Sequence, residues 1–122
     1  MPSPPNPLTV ANRPLSEVKA ELFKALAHPA RVRALEVLAT GERTVGELQP
    51  LVGIESSHLS QQLGVLRRAG LVATRKEGSS VVYALKDPLV SDLLEVAKKL
   101  LVASLVETRD LLADLAGQDT AR

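Results

Sequence analysis

The chain has 122 residues and no cysteine. That makes it one small domain whose core a second subunit could share, and it excludes disulfides, thiolate metal centres and cysteine nucleophiles. The net charge of +1 conceals an asymmetry: residues 54–86 carry five Lys/Arg against two Asp/Glu, and residues 87–122 carry four against seven. A basic middle and an acidic end suit a chain that meets a polyanion on one surface only.

The first fourteen residues, MPSPPNPLTVANRP, hold five of the eight prolines and are expected to form a flexible arm (residues 1–14). From Leu15 the apolar positions Leu15, Val18, Leu22, Ala25 and Leu26 recur at three- and four-residue steps, which predicts an amphipathic helix ending near Ala27. His28-Pro29 forms a joint, because a residue before proline avoids helical backbone while proline suits a first helical turn. A second helix is predicted over Pro29–Thr40, stopped by Gly41. Thr44 and Glu47 have capping-box spacing and start a short third helix, in which Pro50 should cause a kink or a shortening. A fourth helix spans about Ser56–Ala69 and closes on Gly70. The segment LVATRKEGSSVVYALK reads as a hairpin with its tip at Glu77–Ser79. Pro88 opens a last helix to about Ala116, and residues 117–122 are expected to be a flexible tail. No apolar run approaches the roughly eighteen residues of a membrane span, and no charged segment leads into a signal core, so the expectation is a cytoplasmic protein with no membrane partner.

The fourth helix has two faces. At 100° per residue Leu59, Leu63 and Leu66 fall on one stripe with Gln62 beside it, and Ser57, Gln61, Gly64 and Arg68 gather opposite, flanked by His58 and Ser60. Glutamine pairs bidentately with adenine, serine bonds bases or phosphates, arginine contacts guanine or phosphate, and Gly64 permits close backbone approach. A short capped helix, a glycine turn, this helix and a hairpin bearing Arg75 and Lys76 follow the order of a winged helix-turn-helix, whose wing adds phosphate contacts. The fold expected is mainly α with a small β-hairpin, in the order of four helices, two strands and a final helix.

The segments LFKALAHPARVRALEVL and LSQQLGVLRRAGLVATRKEGSSVVYAL closely resemble the ArsR family of bacterial winged-helix transcriptional repressors, over about Leu15–Leu115. The resemblance implies a homodimer built from the first and last helices that binds an imperfectly palindromic double-stranded DNA operator and is released by an inducer, a small molecule among the candidates. It places Ser57, His58, Ser60, Gln61 and Gln62 on the recognition helix and Arg75, Lys76, Ser79 and Ser80 on the wing. Ser56 and Arg68, at the two ends of the recognition helix, complete the candidate DNA-contacting set. The apolar positions expected at the dimer interface are Leu15, Val18 and Leu22 of the first helix with Leu89, Leu93, Val96, Leu100, Leu101, Leu105 and Leu112 of the last.

Departures from the family pattern matter as much. Members that sense metals use a Cys-x-Cys pair on the third helix or Asp and His residues on the last. Here the third-helix positions are Gln49 and Leu51, and the last helix has acids such as Asp92, Glu95, Glu107 and Asp110 but no histidine. Carboxylates alone are poor at capturing zinc or nickel, so no metal or other cofactor is expected. His28 reads as a cap or joint and His58 as a DNA contact or an exposed side chain. No phosphate cradle, nucleophile elbow or acid pair suggests an enzyme. Two classes compete: a DNA-binding repressor, with an interface-bound apolar ligand as one form of trigger, and a winged-helix protein-interaction module without DNA binding.

Overall fold

A computed structural model describes residues 13–120, with side chains through residue 118. The described residues divide into two compact units, one ending at Ser91 and the other beginning at Asp92.

In the first unit, α1 (Leu15–Leu26) starts on Pro14, whose carbonyl accepts from Glu17 and Val18. Helix α2 (Pro29–Leu38) has Pro29 at its first position, and its N-cap is His28, whose Nδ1 accepts from the Ala30 N–H at 3.1 Å. The imidazole supplies the acceptor that a serine or aspartate gives elsewhere. Strand β1 (Arg43–Thr44) leads directly into α3 (Val45–Val52) through a complete capping box: Thr44 Oγ1 accepts from Glu47 N at 3.2 Å and Glu47 Oε1 from Thr44 N at 3.0 Å. Pro50 does not interrupt α3, which is only eight residues long; the Leu51 carbonyl in its last turn accepts from Arg33 Nε of α2 at 3.3 Å. Gly53 closes α3 at φ +82°, a left-handed conformation that a Cβ disfavours.

Helix α4 (Ser56–Arg68) is followed by β2 (Val72–Glu77) and β3 (Ser80–Leu85). The two strands pair antiparallel from Val72↔Leu85 to Glu77↔Ser80. This leaves a two-residue turn with Gly78 at φ +62°, as hairpin twist demands. The sheet is not the bare hairpin expected: β1 adds a third strand beside β3, with Arg43 opposite Tyr83 and Thr44 opposite Val82. The core lies between α2, α3, α4 and the base of the wing. Leu35, Leu48, Leu59, Leu63 and Leu66 are fully buried, with Val72 and Val82 closing the sheet side. Each such leucine is worth about 1.5–3 kcal/mol of burial, so α4, which supplies three of the five, is firmly seated by its apolar stripe.

Helix α5 (Leu89–Thr120) has 32 residues and spans about 48 Å. It runs through Gly117 to Thr120, past the expected stop near Ala116; the end of the tail expected over residues 117–122 lies outside the described residues. Gly117 is not among the positive-φ glycines and does not act as a helix stop. The arm expected over residues 1–14 lies almost wholly outside the described residues. Among those described, no helix is long and apolar enough to cross a membrane.

Candidate nucleic-acid interface

The burial of Leu59, Leu63 and Leu66 turns the opposite side of α4 outward, so Ser56, Ser57, Ser60, Gln61 and Arg68 are all exposed. These are the residues expected at a DNA-reading surface, and they occupy one continuous strip of the helix. Gly64 lies within it. A Cβ built there would stand 3.2 Å from Arg68 Nη1, so the glycine makes room for the guanidinium of its own helix one turn on, a use that the sequence did not reveal.

Two residues assigned to the reading set are engaged elsewhere. Gln62 is half-buried, and its Oε1 accepts from Arg31 Nη1 of α2 at 3.2 Å. His58 is exposed, yet its ring meets the edge of His28 with centroids 5.9 Å apart and planes at 88°. The two histidines, thirty residues apart in sequence, are neighbours in space. Among the described residues no three His, Cys, Asp or Glu side chains come together as metal ligands would, and Nδ1 of His28 is already occupied by the Ala30 N–H.

On the wing, Lys76, Ser79 and Ser80 are exposed. Arg75 is half-exposed and doubly paired: Nη2 donates to Glu42 Oε1 and Nη1 to Glu77 Oε2, each at 2.7 Å. The bond to Arg75 holds the Glu42 carboxyl below its ordinary range, and the two acids raise the arginine still further above its own. Glu42, Thr44, Glu47, Arg75, Glu77 and Ser80 together line a shallow cleft beside the wing. Its acidic side was not foreseen, because Glu42 lies 33 residues before the arginine it binds.

Of the apolar positions assigned to an interface, Val18 is wrongly placed: it is 5% exposed and belongs to the core of its own chain. Helix α1 packs on α2 through the stripe that contains it, so the amphipathic pattern recorded that internal face. Leu22 is half-buried. The open apolar positions of α1 are Leu15 and Phe23, the latter 57% exposed and missed in the sequence reading. On α5, Leu89, Val96, Leu100, Leu101, Leu105 and Leu112 are exposed and Leu93 is intermediate.

Comparison with known proteins gives this arrangement its relatives. The profile described as "Bacterial regulatory protein, arsR family" matches residues 28–74, from the cap of α2 into β2. The HTH-type transcriptional regulator Rv0081 of Mycobacterium tuberculosis is 50% identical over 111 residues, covering 90% of this chain and 97% of that protein. Its crystal structure superposes with a TM-score of 0.72 at 54% identity, covering 79% of this chain and 97% of that one. The biofilm growth-associated repressor of Agrobacterium fabrum is 46% identical over 73% of this chain and 75% of its own length. A Mycobacterium bovis domain described as a homodimeric winged helix-turn-helix DNA-binding domain matches at a TM-score of 0.69 and 29% identity, over 79% of this chain and 94% of that one. The strip on α4, the three-stranded wing beside it and this kinship lead to one conclusion: the chain belongs to the arsR family of bacterial regulatory proteins and is a DNA-binding transcriptional regulator with a winged helix-turn-helix fold.

Proposed function

We propose that the protein is a homodimeric repressor that sets two copies of α4 into successive major grooves of an imperfectly palindromic operator, with each wing along the neighbouring phosphates. The observation that carries this reading is the exposed strip Ser57, Gln61 and Arg68 directly opposite three fully buried leucines. A groove-reading helix must be held rigidly from behind while it presents donors and acceptors in front. Lys76 is exposed on the wing and, unlike Arg75, is not clamped between two carboxylates, which makes it the principal phosphate anchor. The second copy covers the apolar surface of α1 at Leu15 and Phe23 and that of α5 at Leu89, Val96, Leu100, Leu101, Leu105 and Leu112, as a two-fold, self-complementary interface requires. The M. bovis relative, described as homodimeric, supports this assembly. The protein works in the cytoplasm, and its release from DNA is triggered by an inducer other than a metal ion, a small apolar molecule at the dimer interface being one form of it.

Footprinting across the protein's own promoter region tests the reading. The expected result is two protected half-sites about one helical turn, roughly 34 Å, apart and related by a two-fold axis. Binding no tighter to any promoter segment than to random duplex would favour a protein-interaction module instead.

A further inference from the structure

A polar seam joins the back of the reading helix to α2. Arg31 and His28 stand three residues apart at the start of α2, and Gln62 and His58 four residues apart on α4, so both cross-helix pairs lie along one line. At one end the His28 and His58 rings meet edge to face at 5.9 Å. At the other, Arg31 Nη1 donates to Gln62 Oε1 at 3.2 Å and Nη2 reaches the Lys24 carbonyl at the end of α1 at 3.4 Å. The same guanidinium therefore touches three helices. Its Nε is shielded from solvent and has no hydrogen-bond partner, an arrangement that costs free energy and persists only where the surrounding contacts favour it.

The leucine stripe of α4 holds the helix against the core, but apolar contact is non-directional and tolerates small rotations about the helix axis. A bond from a rigid guanidinium fork to one amide oxygen does not. Since Gln61 precedes Gln62 by one residue, anything that fixes the direction of Gln62 also fixes the direction in which Gln61 projects, 100° away.

We propose that Arg31 is a positioning residue for DNA reading: through Gln62 it sets the rotational phase of α4, and through Lys24 it ties that phase to the end of α1. The proposal rests on α4 being the reading helix, and it assigns Gln62 to orientation rather than base contact.

The test uses the full chain, an operator duplex taken from the footprinted promoter and a random duplex of equal length. Arg31→Ala and Gln62→Ala are each expected to lower the operator-to-random affinity ratio on the order of five- to tenfold, with random-duplex affinity changed less than about twofold. The double variant should be no worse than the poorer single one, because both remove the same bond. Gln62→Glu, which offers the guanidinium a carboxylate, should weaken both duplexes alike and keep the ratio. Gln62→Ala leaves the buried leucines of α4 unchanged and remains informative if Arg31→Ala fails to fold. Equal losses on both duplexes for Arg31→Ala, with a shallower salt dependence, would make Arg31 a phosphate contact and overturn the proposal. Additive losses in the double variant would overturn it too, by making Gln62 an independent reader of bases. Failure of the proposed function is distinct, since wild-type protein would then show no operator preference at all.

Discussion

Arg75 of the wing and Glu42, just before β1, are joined Nη2 to Oε1 at 2.7 Å, although 33 residues separate them. With Glu77 also on the guanidinium, the arginine and its two carboxylates together carry one negative charge. A phosphate must displace at least one carboxylate before Arg75 can bind it. Exposed pairs of this kind are worth little, so the clamp delays Arg75 without disabling it. Glu42→Gln should therefore tighten binding to operator and random duplex alike, by about two- to fivefold, and steepen the dependence on salt by up to about one ion. Titrations of both duplexes over a salt series measure this, and an unchanged slope would place Arg75 outside the DNA contact.

Gly64 offers a case in which stability and binding should move in opposite directions. Replacing a helical glycine with alanine stabilises a helix by up to about 1 kcal/mol, and the new Cβ meets only the end of the flexible Arg68 side chain, at 3.2 Å. Gly64→Ala should raise the unfolding midpoint while weakening operator binding a few-fold, because Arg68 must leave its place on the reading strip. Thermal unfolding and operator titration on the same sample decide it. A stabilised variant with unchanged operator affinity would mean that Arg68 is not read against the DNA.

Much of this was legible in the sequence, and what was not has a common cause. The five helices, the hairpin, the capping box at Thr44 and the outward strip of α4 all follow from short-range apolar spacing and capping chemistry. Strand β1 was invisible because two residues have no periodicity, and it exists only through its bonds to β3. Val18 was assigned to the wrong surface because an amphipathic stripe says that a face is covered without saying by what. The clamp on Arg75, the bond between Arg31 and Gln62 and the meeting of His28 with His58 join residues 30 to 33 positions apart, and no local pattern records such partners. These long-range polar contacts separate side chains that face outward from those that are engaged by another element.

The capping box makes stability depend on pH with a definite sign. The backbone N–H of Thr44 and its hydroxyl both lower the Glu47 carboxyl below its ordinary value, and Arg75 does the same for Glu42. A carboxyl with a depressed folded-state value stabilises the fold fully above its unfolded value and loses that contribution as pH falls through the folded one. Denaturant unfolding should therefore show stability falling as the pH drops through and below the ordinary range of a glutamate carboxyl, and Glu47→Gln should flatten that fall. Thr44→Ala should cost about 1 kcal/mol at neutral pH. A pH profile for Glu47→Gln parallel to wild type would remove the capping box as its source.

Metal ions should leave DNA binding nearly unchanged. The nearest approach to a ligand set is His28 with His58, but one ring nitrogen of His28 is already hydrogen-bonded within its own helix start. Among the described residues no third donor of the usual kinds joins them. Titration with zinc, nickel, cadmium or arsenite is expected to shift operator affinity by well under tenfold, which is less than about 1.4 kcal/mol of coupling. Stoichiometric binding accompanied by a tenfold loss would identify a metal trigger and contradict this expectation.

Gln61 and Lys76 should separate reading from anchoring. Gln61 is exposed in the middle of the strip on α4, where its amide can pair with a base edge; losing one such pair costs about 1–3 kcal/mol at the matched site and little on random DNA. Lys76 is exposed on the wing, and on the proposed reading it meets the backbone, which is the same for every sequence. Gln61→Ala is expected to weaken operator binding by that amount and to relax preference at one base pair in each half-site. Lys76→Ala should weaken operator and random duplex to similar extents and make the salt dependence shallower by about one for each phosphate that the lysine no longer neutralises. A panel of operator variants scored against both proteins at two salt concentrations measures the difference. Wild-type affinity in the triple variant Ser57→Ala, Gln61→Ala, Arg68→Ala would show that these three side chains form only a solvated face.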